Sequence, residues 1–248
     1  MRSSSARSRT WARALLTHPR ALVAHRLGRP AVAQDTLVLA AAEHLFGPDV
    51  DLSTWRTALQ ELNDRDLVPA TTDLSVGISH RVTLGKWLYA AIRATRPAVV
   101  VETGVASGTS SWLILNALQK NEAGRLYSID LPDHDPALPY NVGHTGGTGR
   151  AVPESLRSVW ELILADSSKA LPALISELGP VGVFFHDSEH SYDAMTREFE
   201  TVLPKLEEGG VIISDDVQKN AAFAEVVARH GLRSFVFRKG GTARRRIS

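Results

Sequence analysis

The sequence predicts a doubly wound α/β fold, with a mostly parallel sheet, a C-terminal antiparallel hairpin and an N-terminal helical extension. Short apolar runs alternate with helical segments from about residue 98 onward, and four of these runs lead into an acidic residue. A glycine-rich turn follows the first run. The 248 residues are enough for one such domain and an appendage.

The segments before the sheet are predicted to be helices because apolar residues recur there at helical spacing. We expect helices at 31–46, at 53–65 and at 80–96, the first and third of which end at Gly47-Pro48 and Pro97. We therefore divide the chain into a basic arm with a helical extension, residues 1–75, and a sheet domain, residues 76–248.

The sheet domain is predicted to contain five parallel strands joined by crossover helices. The strands are expected at 98–101, 125–129, 161–164, 181–186 and 211–214. The helices are expected at 109–121, 153–159, 168–178, 190–206 and 219–230. Residues 234–238 and 242–247 flank a Gly240-Gly241 turn, which predicts a closing hairpin.

Composition excludes several classes of site. The chain has no cysteine, which rules out disulfides, thiolate metal sites and a cysteine nucleophile. No apolar stretch approaches the roughly 20 residues of a membrane span. The balance of 44% apolar and 22% charged residues is that of an ordinary soluble protein. We expect a cytoplasmic protein that does not bind nucleic acid.

Charge is unevenly distributed along the chain. Residues 1–34 contain seven arginines and no acid, which gives this segment a charge of +7. Because the net charge of the chain is +1, the remaining residues carry −6. One interpretation is a basic amphipathic arm, residues 1–30, that touches an anionic membrane surface or a partner. The other is a frayed leader and a helix that packs on the domain or on a second subunit of a homo-oligomer. A secretory signal is not expected, because Pro19 interrupts the only apolar region long enough for one.

The loop at 131–150 is too long for a simple connection and is rich in proline and glycine. Loops of this length in compact domains are usually lids or disordered segments. Because this one leaves the predicted ligand-binding edge of the sheet, we favour a lid over a passive insertion.

Acidic residues at the tips of the first three strands predict a pocket for a cationic nucleoside. Glu102, Gly104 and Gly108 form the turn after the first strand, whose glycines allow a ligand close to the backbone at a helix start. Asp130 ends the second strand, where an acid can accept ribose hydroxyls. Asp166 and Ser167 follow the third strand, although Asp166 could equally cap the next helix.

A second group of polar residues ends the fourth and fifth strands. Asp187 follows one apolar run and Asp215-Asp216 follow the next, so three carboxylates are expected to converge. Mg²⁺ or another hard divalent cation suits such a set. The alternative for the Asp-Asp pair is helix capping. His190, three residues after Asp187, is predicted to start a helix and to act as a general base, whereas His186 and His230 are assigned surface or capping roles.

Residues 80–237 resemble the class I S-adenosylmethionine-dependent methyltransferases, which have a Rossmann-like fold. The segment from Val99 to Ser110 resembles the family's first motif. This resemblance implies that Glu102, Gly104, Gly108 and Ser110 contact the methionine portion of the cofactor. It also implies that Asp130 binds the ribose and that Asp166 and Ser167 contact the adenine.

Residues 184–216 resemble the metal-dependent O-methyltransferases. Catechol-type enzymes have a lysine where this chain has His190, and Asp-Asn where it has Asp215-Asp216. Both departures resemble the sugar O-methyltransferases of the macrocin and mycinamicin type. The resemblance implies a metal held by Asp187, Asp215 and Asp216, with His190 as base and a sugar hydroxyl as acceptor.

Three alternatives stay open. A small catechol is the second choice of acceptor, and a noncatalytic binding module with this fold is a second class of function. An NAD-dependent oxidoreductase is disfavoured, because the Gly-x-Gly-x-x-Gly spacing of dinucleotide-binding turns is missing.

Overall fold

The computed structural model describes residues 30–63, 83–132 and 147–247. Helices α1 (Pro30–Phe46), α2 (Ser53–Asn63) and α3 (Thr83–Thr95) precede the sheet, close to the three predicted helices. The strands that follow are β1 (Val99–Thr103), β2 (Arg125–Asp130), β3 (Trp160–Leu164), β4 (Val181–His186), β5 (Leu206–Ser214), β6 (Arg233–Val236) and β7 (Gly241–Arg244). The helices between them are α4 (Thr109–Asn121), α5 (Ser167–Glu177), α6 (Tyr192–Val202) and α7 (Ala222–Arg229).

These seven strands form one sheet in the order β3-β2-β1-β4-β5-β7-β6. Strands β1 to β5 are parallel, whereas β7 pairs antiparallel with both β5 and β6. The predicted fold class, including the C-terminal hairpin and the N-terminal helices, is therefore confirmed. Since His186 pairs with both Thr103 and Ser214, the last residues of β1, β4 and β5 lie side by side at one edge.

Two apolar cores cover the faces of the sheet. One contains residues of α1, α2, α3 and α4, and in it Trp55 stacks on Trp87 with ring centroids 4.9 Å apart. The other packs α5, α6 and α7 on the opposite face. The described helices of the N-terminal extension thus share a core with the sheet. The predicted boundary near residue 75 lies outside the described residues.

Several predicted elements differ from those observed in their bounds or type. The helix predicted at 190–206 begins at Tyr192, because the side chain of Ser191 caps it, and ends at Val202, where a 3-10 turn with Pro204 follows. The helix predicted at 153–159 is a 3-10 helix, Glu154–Val159. Strand β5 starts five residues before the predicted position and contains an irregular register beside β4.

The arginine-rich arm up to residue 29 and residues 133–146 of the predicted lid lie outside the described residues. Among the helices of the described ranges, none combines the length and the apolar character needed to cross a membrane.

Candidate active site

The glycine-rich turn joins the two halves of the site. Gly104 has a φ of 85°, and a Cβ added there would lie 2.2 Å from the carbonyl oxygen of Asp187. Gly108, with a φ of 89°, directly precedes α4 and packs against the backbone of Gly149. Only glycine permits both the left-handed backbone and these close approaches. The turn after β1 is therefore fixed against the end of β4.

Glu102 lies beneath this turn. Its side chain is fully buried, and its carboxylate accepts hydrogen bonds from the hydroxyls of Ser110, Ser111 and Ser128 at 2.6–2.7 Å. Burial raises the pKa of Glu102 to about 7, against the effect of these bonds. Both side chains are buried and bonded to each other, which is a structural role for Glu102, and the contacts of Glu102 and Ser110 with the methionine portion stay a prediction.

Asp130, at the end of β2, orders the same turn. One carboxylate oxygen accepts from the backbone N–H groups of Val105 and Ala106 at 2.9 and 2.6 Å, and the other accepts from Leu131 at 2.7 Å. A carboxylate has about four acceptor positions, so roughly one is left for a ligand. Asp130 is partly exposed at the carboxyl edge, as a contact with the ribose would require.

Asp166 and Ser167 lie at the start of α5. The Asp166 side chain is the N-cap and accepts from the backbone N–H of Ser168 at 2.8 Å, the capping role left open by the sequence. Hydrogen bonds from the side chain and then the backbone of Ser168 hold the pKa of Asp166 below its ordinary value. The Ser167 hydroxyl instead donates to Glu198 at 2.6 Å. Asp166 is exposed at this edge, while Ser167 is committed to the protein interior.

The end of the predicted lid is anchored to the glycine-rich turn. The backbone N–H groups of Gly149 and Ala151 donate to the carbonyls of Ala106 and Ser107 at 2.9 and 2.8 Å. A Cβ on Gly149 would meet the Trp160 ring at 2.4 Å, so a larger residue would displace this anchor. The residues that follow the segment 133–146 are thus held on the expected cofactor site.

The second half of the site brings Asp187, His190 and Asp215 together. One ligand atom from each lies within 4.8 Å of the other two. The backbone N–H groups of Asp187 and Asp215 donate to Thr103 and His186 at 2.8 and 2.9 Å, which extends the sheet ladder to both residues. His190 lies in the loop before α6, with its Nε2 3.7 Å from Asp187 Oδ1. The backbone hydrogen bonds of the sheet, more than helix α6, therefore set the positions of these side chains.

Asp216 departs from the predicted set of three carboxylates. In the described structure it stands outside the group formed by Asp187, His190 and Asp215. Its two oxygens accept from Lys219 Nζ at 2.7 Å and from Gln218 Nε2 at 2.8 Å. Although burial raises the pKa of Asp216, these bonds lower it overall. Lys219 is a cation of the site that we did not predict from the sequence.

The electrostatics of this group fit a divalent cation. Burial, and then the charges of Asp215 and Glu102, raise the pKa of Asp187 well above its ordinary value. Burial, with His186 and Lys219 nearby, lowers the pKa of His190 to about 4. The buried Nε2 of His190 has no hydrogen-bond partner among the described residues. Crowded carboxylates beside a bare imidazole nitrogen form a set of donors that a cation would stabilise.

Sequence reasoning also missed a buried polar group behind this site. His186 is completely buried, not at the surface or in a cap as predicted, and its Nδ1 lies 2.7 Å from Glu198 Oε2. The rings of His186 and His190 meet edge to face, with centroids 5.3 Å apart. The available signal was Glu198 itself, a carboxylate within the apolar stripe of α6. By contrast, His230 follows α7 and pairs with Glu200, as its capping assignment suggests.

Comparisons with known proteins agree with this architecture. Residues 101–217 match a family model described as a methyltransferase domain. A search of curated proteins found no match. Among solved structures, an O-methyltransferase from Bacillus cereus in complex with S-adenosylhomocysteine (SAH) is 17% identical and has a TM-score of 0.50, covering 84% of this chain and 96% of its own.

Two further solved structures are similar in fold. The O-methyltransferase TomG from Streptomyces achromogenes, involved in tomaymycin synthesis and bound to S-adenosylmethionine, is 19% identical at a TM-score of 0.51, covering 80% of this chain and 92% of its own. The O-methyltransferase NovP is 16% identical at a TM-score of 0.51, covering 70% and 84%. Residues 101–217 are thus similar to a methyltransferase domain, and the chain shares its fold with solved O-methyltransferases.

Proposed function

We propose that this chain is an S-adenosylmethionine-dependent methyltransferase that acts on oxygen, with a divalent metal, and that its acceptor is a hydroxyl of a sugar or glycosylated metabolite. The observation that carries the proposal is the convergence of Asp187, His190 and Asp215 within 4.8 Å. This group lies at the carboxyl edge of the parallel sheet, where ligands of such folds bind. The glycine-rich turn, which contacts Asp187 through Gly104, lies beside it.

The cofactor side is formed by the turn after β1 and the start of α4. The carboxylate of Asp130 accepts from the N–H groups of Val105 and Ala106, so bonds within the protein hold the shape of the turn. Preorganisation of this kind reduces the ordering cost of binding. Asp130 and Asp166 are the acids exposed enough to meet the nucleoside, which supports their proposed contacts with ribose and adenine.

Asp187 and Asp215 would hold the metal, with Asp216 available if Lys219 releases it. A bound divalent ion lowers the pKa of a coordinated hydroxyl and fixes its direction. Mg²⁺ and Mn²⁺ both accept such oxygen ligands.

His190 is the proposed base. Its low pKa leaves the imidazole neutral near pH 7, with Nε2 ready to accept a proton from the acceptor hydroxyl. The buried His186 ring on which it packs limits its freedom. A fixed base beside a fixed acceptor removes much of the entropic cost of reaching the reactive geometry, a contribution worth roughly 7–11 kcal/mol in favourable cases.

The sugar acceptor is supported by the resemblance carried by His190 and by the Asp215-Asp216 pair. A panel of glycosides and catechols, assayed for SAH release with and without a chelator, tests it. Chelator-sensitive turnover of glycosides supports the proposal, whereas turnover of catechols alone would favour the second acceptor class. Binding of SAH without any turnover would indicate a noncatalytic module.

Two substitutions test the assigned roles. Asp187→Asn should abolish the metal-dependent rate while leaving SAH affinity nearly unchanged, and His190→Ala should lower kcat with metal affinity less affected. Asp193→Asn, at an exposed position of α6, is the matched control. Equal rates for all three variants would remove the proposed site from the reaction.

A further inference from the structure

The carboxylate of Glu198 is a junction of four hydrogen bonds beneath the site. Glu198 lies on α6 and is 1% exposed. Its Oε1 accepts from the hydroxyls of Ser167 and Ser188 at 2.6 and 2.8 Å. Its Oε2 accepts from the hydroxyl of Thr103 at 2.6 Å and lies 2.7 Å from His186 Nδ1. All of the roughly four acceptor positions of the carboxylate are thus in use.

These donors belong to different parts of the active site. Thr103 ends β1, just before the glycine-rich turn, and Ser167 starts α5 on the adenine side. His186 ends β4, and Ser188 follows the candidate metal ligand Asp187. Two of the four bonds therefore hold the cofactor side, and the other two hold the metal side.

The protonation of this group is set by its partners. Burial raises the pKa of Glu198, but the bonds from His186, Ser167 and Thr103 lower it overall, so the carboxylate stays ionised. An ionised carboxylate requires His186 Nδ1 to be the donor. The orientation of the His186 ring is thereby fixed, and His190 packs against that ring.

We propose that Glu198 is a positioning residue that couples the cofactor side of the site to its metal side. This inference rests on the proposed function, because it takes Ser167 to lie at the cofactor and Ser188 at the metal. Glu198 itself touches neither. It sets the spacing between the two ligands by holding the ends of β1, β4 and α5 to one buried charge.

Removing single hydroxyl groups tests the cofactor side and the metal side separately. Ser167→Ala removes one bond on the cofactor side, and Ser188→Ala removes one on the metal side. Bonds to a charged group contribute enough that each loss should weaken the affected ligand roughly tenfold. Ser167→Ala should therefore weaken SAH binding and spare Mn²⁺ binding, and Ser188→Ala should do the opposite.

Glu198→Gln should weaken both ligands, since its amide cannot accept all four bonds. The double variant Ser167→Ala/Glu198→Gln should bind SAH no more weakly than Glu198→Gln, because the shared bond is lost only once. Glu200→Gln, on the same helix, and Ser176→Ala, on α5, are matched controls whose side chains contact other partners. A general loss of structure would lower the affinities for SAH and for Mn²⁺ together in every variant, and no variant would then affect one ligand selectively.

Calorimetric titrations of SAH and of Mn²⁺ into the full chain and these variants are the decisive experiment. Selective effects of the two serines, with a joint effect of Glu198→Gln, support the coupling. Should Glu198→Gln fail to fold, serine variants without the opposite selectivity would still overturn the inference. If Glu198→Gln binds SAH and Mn²⁺ as tightly as the wild type, or if the serine variants show no selectivity, the coupling is refuted but the proposed function is not. A wild-type chain that binds neither ligand would overturn the proposed function as well.

Discussion

Replacing Gly104 by alanine should damage both stability and metal binding. The backbone φ of 85° is costly for a residue with a Cβ, by about 1–2 kcal/mol. The new Cβ would also lie 2.2 Å from the Asp187 carbonyl oxygen, where real contacts essentially never fall below 3.0 Å. Relieving such an overlap typically costs about 1–3 kcal/mol. We therefore expect the free energy of unfolding to fall by about 2–5 kcal/mol.

Two other glycines isolate the contributions. Gly231 has a φ of 60° and no described atom within 4 Å of an added Cβ, so Gly231→Ala should show the backbone cost alone, about 1–2 kcal/mol. Gly179 has neither a positive φ nor a described neighbour within 4 Å, so Gly179→Ala should be neutral or slightly stabilising.

Urea denaturation measures the three stabilities, and Mn²⁺ titration measures the effect on the site. Gly104→Ala should lose Mn²⁺ affinity because the displaced backbone carries the carboxylate of Asp187. If Gly104→Ala is no less stable than Gly231→Ala and binds Mn²⁺ normally, the tight contact between the turn and β4 is refuted.

Three further changes test single residues. The pKa of Glu102 is about 7 in the folded protein and 4.5 ordinarily, so between these values the folded chain keeps a proton that the unfolded chain releases. The free energy of unfolding should therefore fall by about 3 kcal/mol as pH rises through that window. Urea denaturation at pH 5 and pH 8 should show this fall in the wild-type chain and not in Glu102→Gln. Asp166→Ala should cost about 1 kcal/mol through loss of the cap, and unchanged SAH affinity in calorimetry would remove Asp166 from the cofactor site. Lys219→Met should tighten Mn²⁺ binding severalfold by freeing Asp216, and weaker binding would contradict the competition between the two cations.

Much of the fold could be predicted because local patterns and tertiary packing agree. The helix predicted at 109–121 and the strand predicted at 181–186 have the observed bounds. The start of α6 was misjudged because Ser191, not a residue before His190, supplies the cap. The early start of β5 was missed because Gly209-Gly210 reads as a turn, although pairing with β4 keeps it in the sheet.

The positions of site residues at strand ends could be predicted from the sequence. The hydrogen-bond and ion-pair partners of the site residues could not. Carboxyl ends of parallel strands meet whatever their side chains, so Asp187 and Asp215 could be placed together from spacing alone. Asp216, which pairs with Lys219, has a left-handed backbone with a φ of 47°, and no sequence pattern predicts this conformation. Glu198 gathers donors as distant in sequence as Thr103, and only the folded chain brings them together.

Crystals soaked with Mn²⁺ and SAH would locate the metal directly. Anomalous diffraction should show one peak per chain, about 2 Å from carboxylate oxygens of both Asp187 and Asp215 and beside the imidazole of His190. A peak at another site, or none at saturating Mn²⁺ with SAH bound, would contradict a metal-assisted reaction at this edge of the sheet.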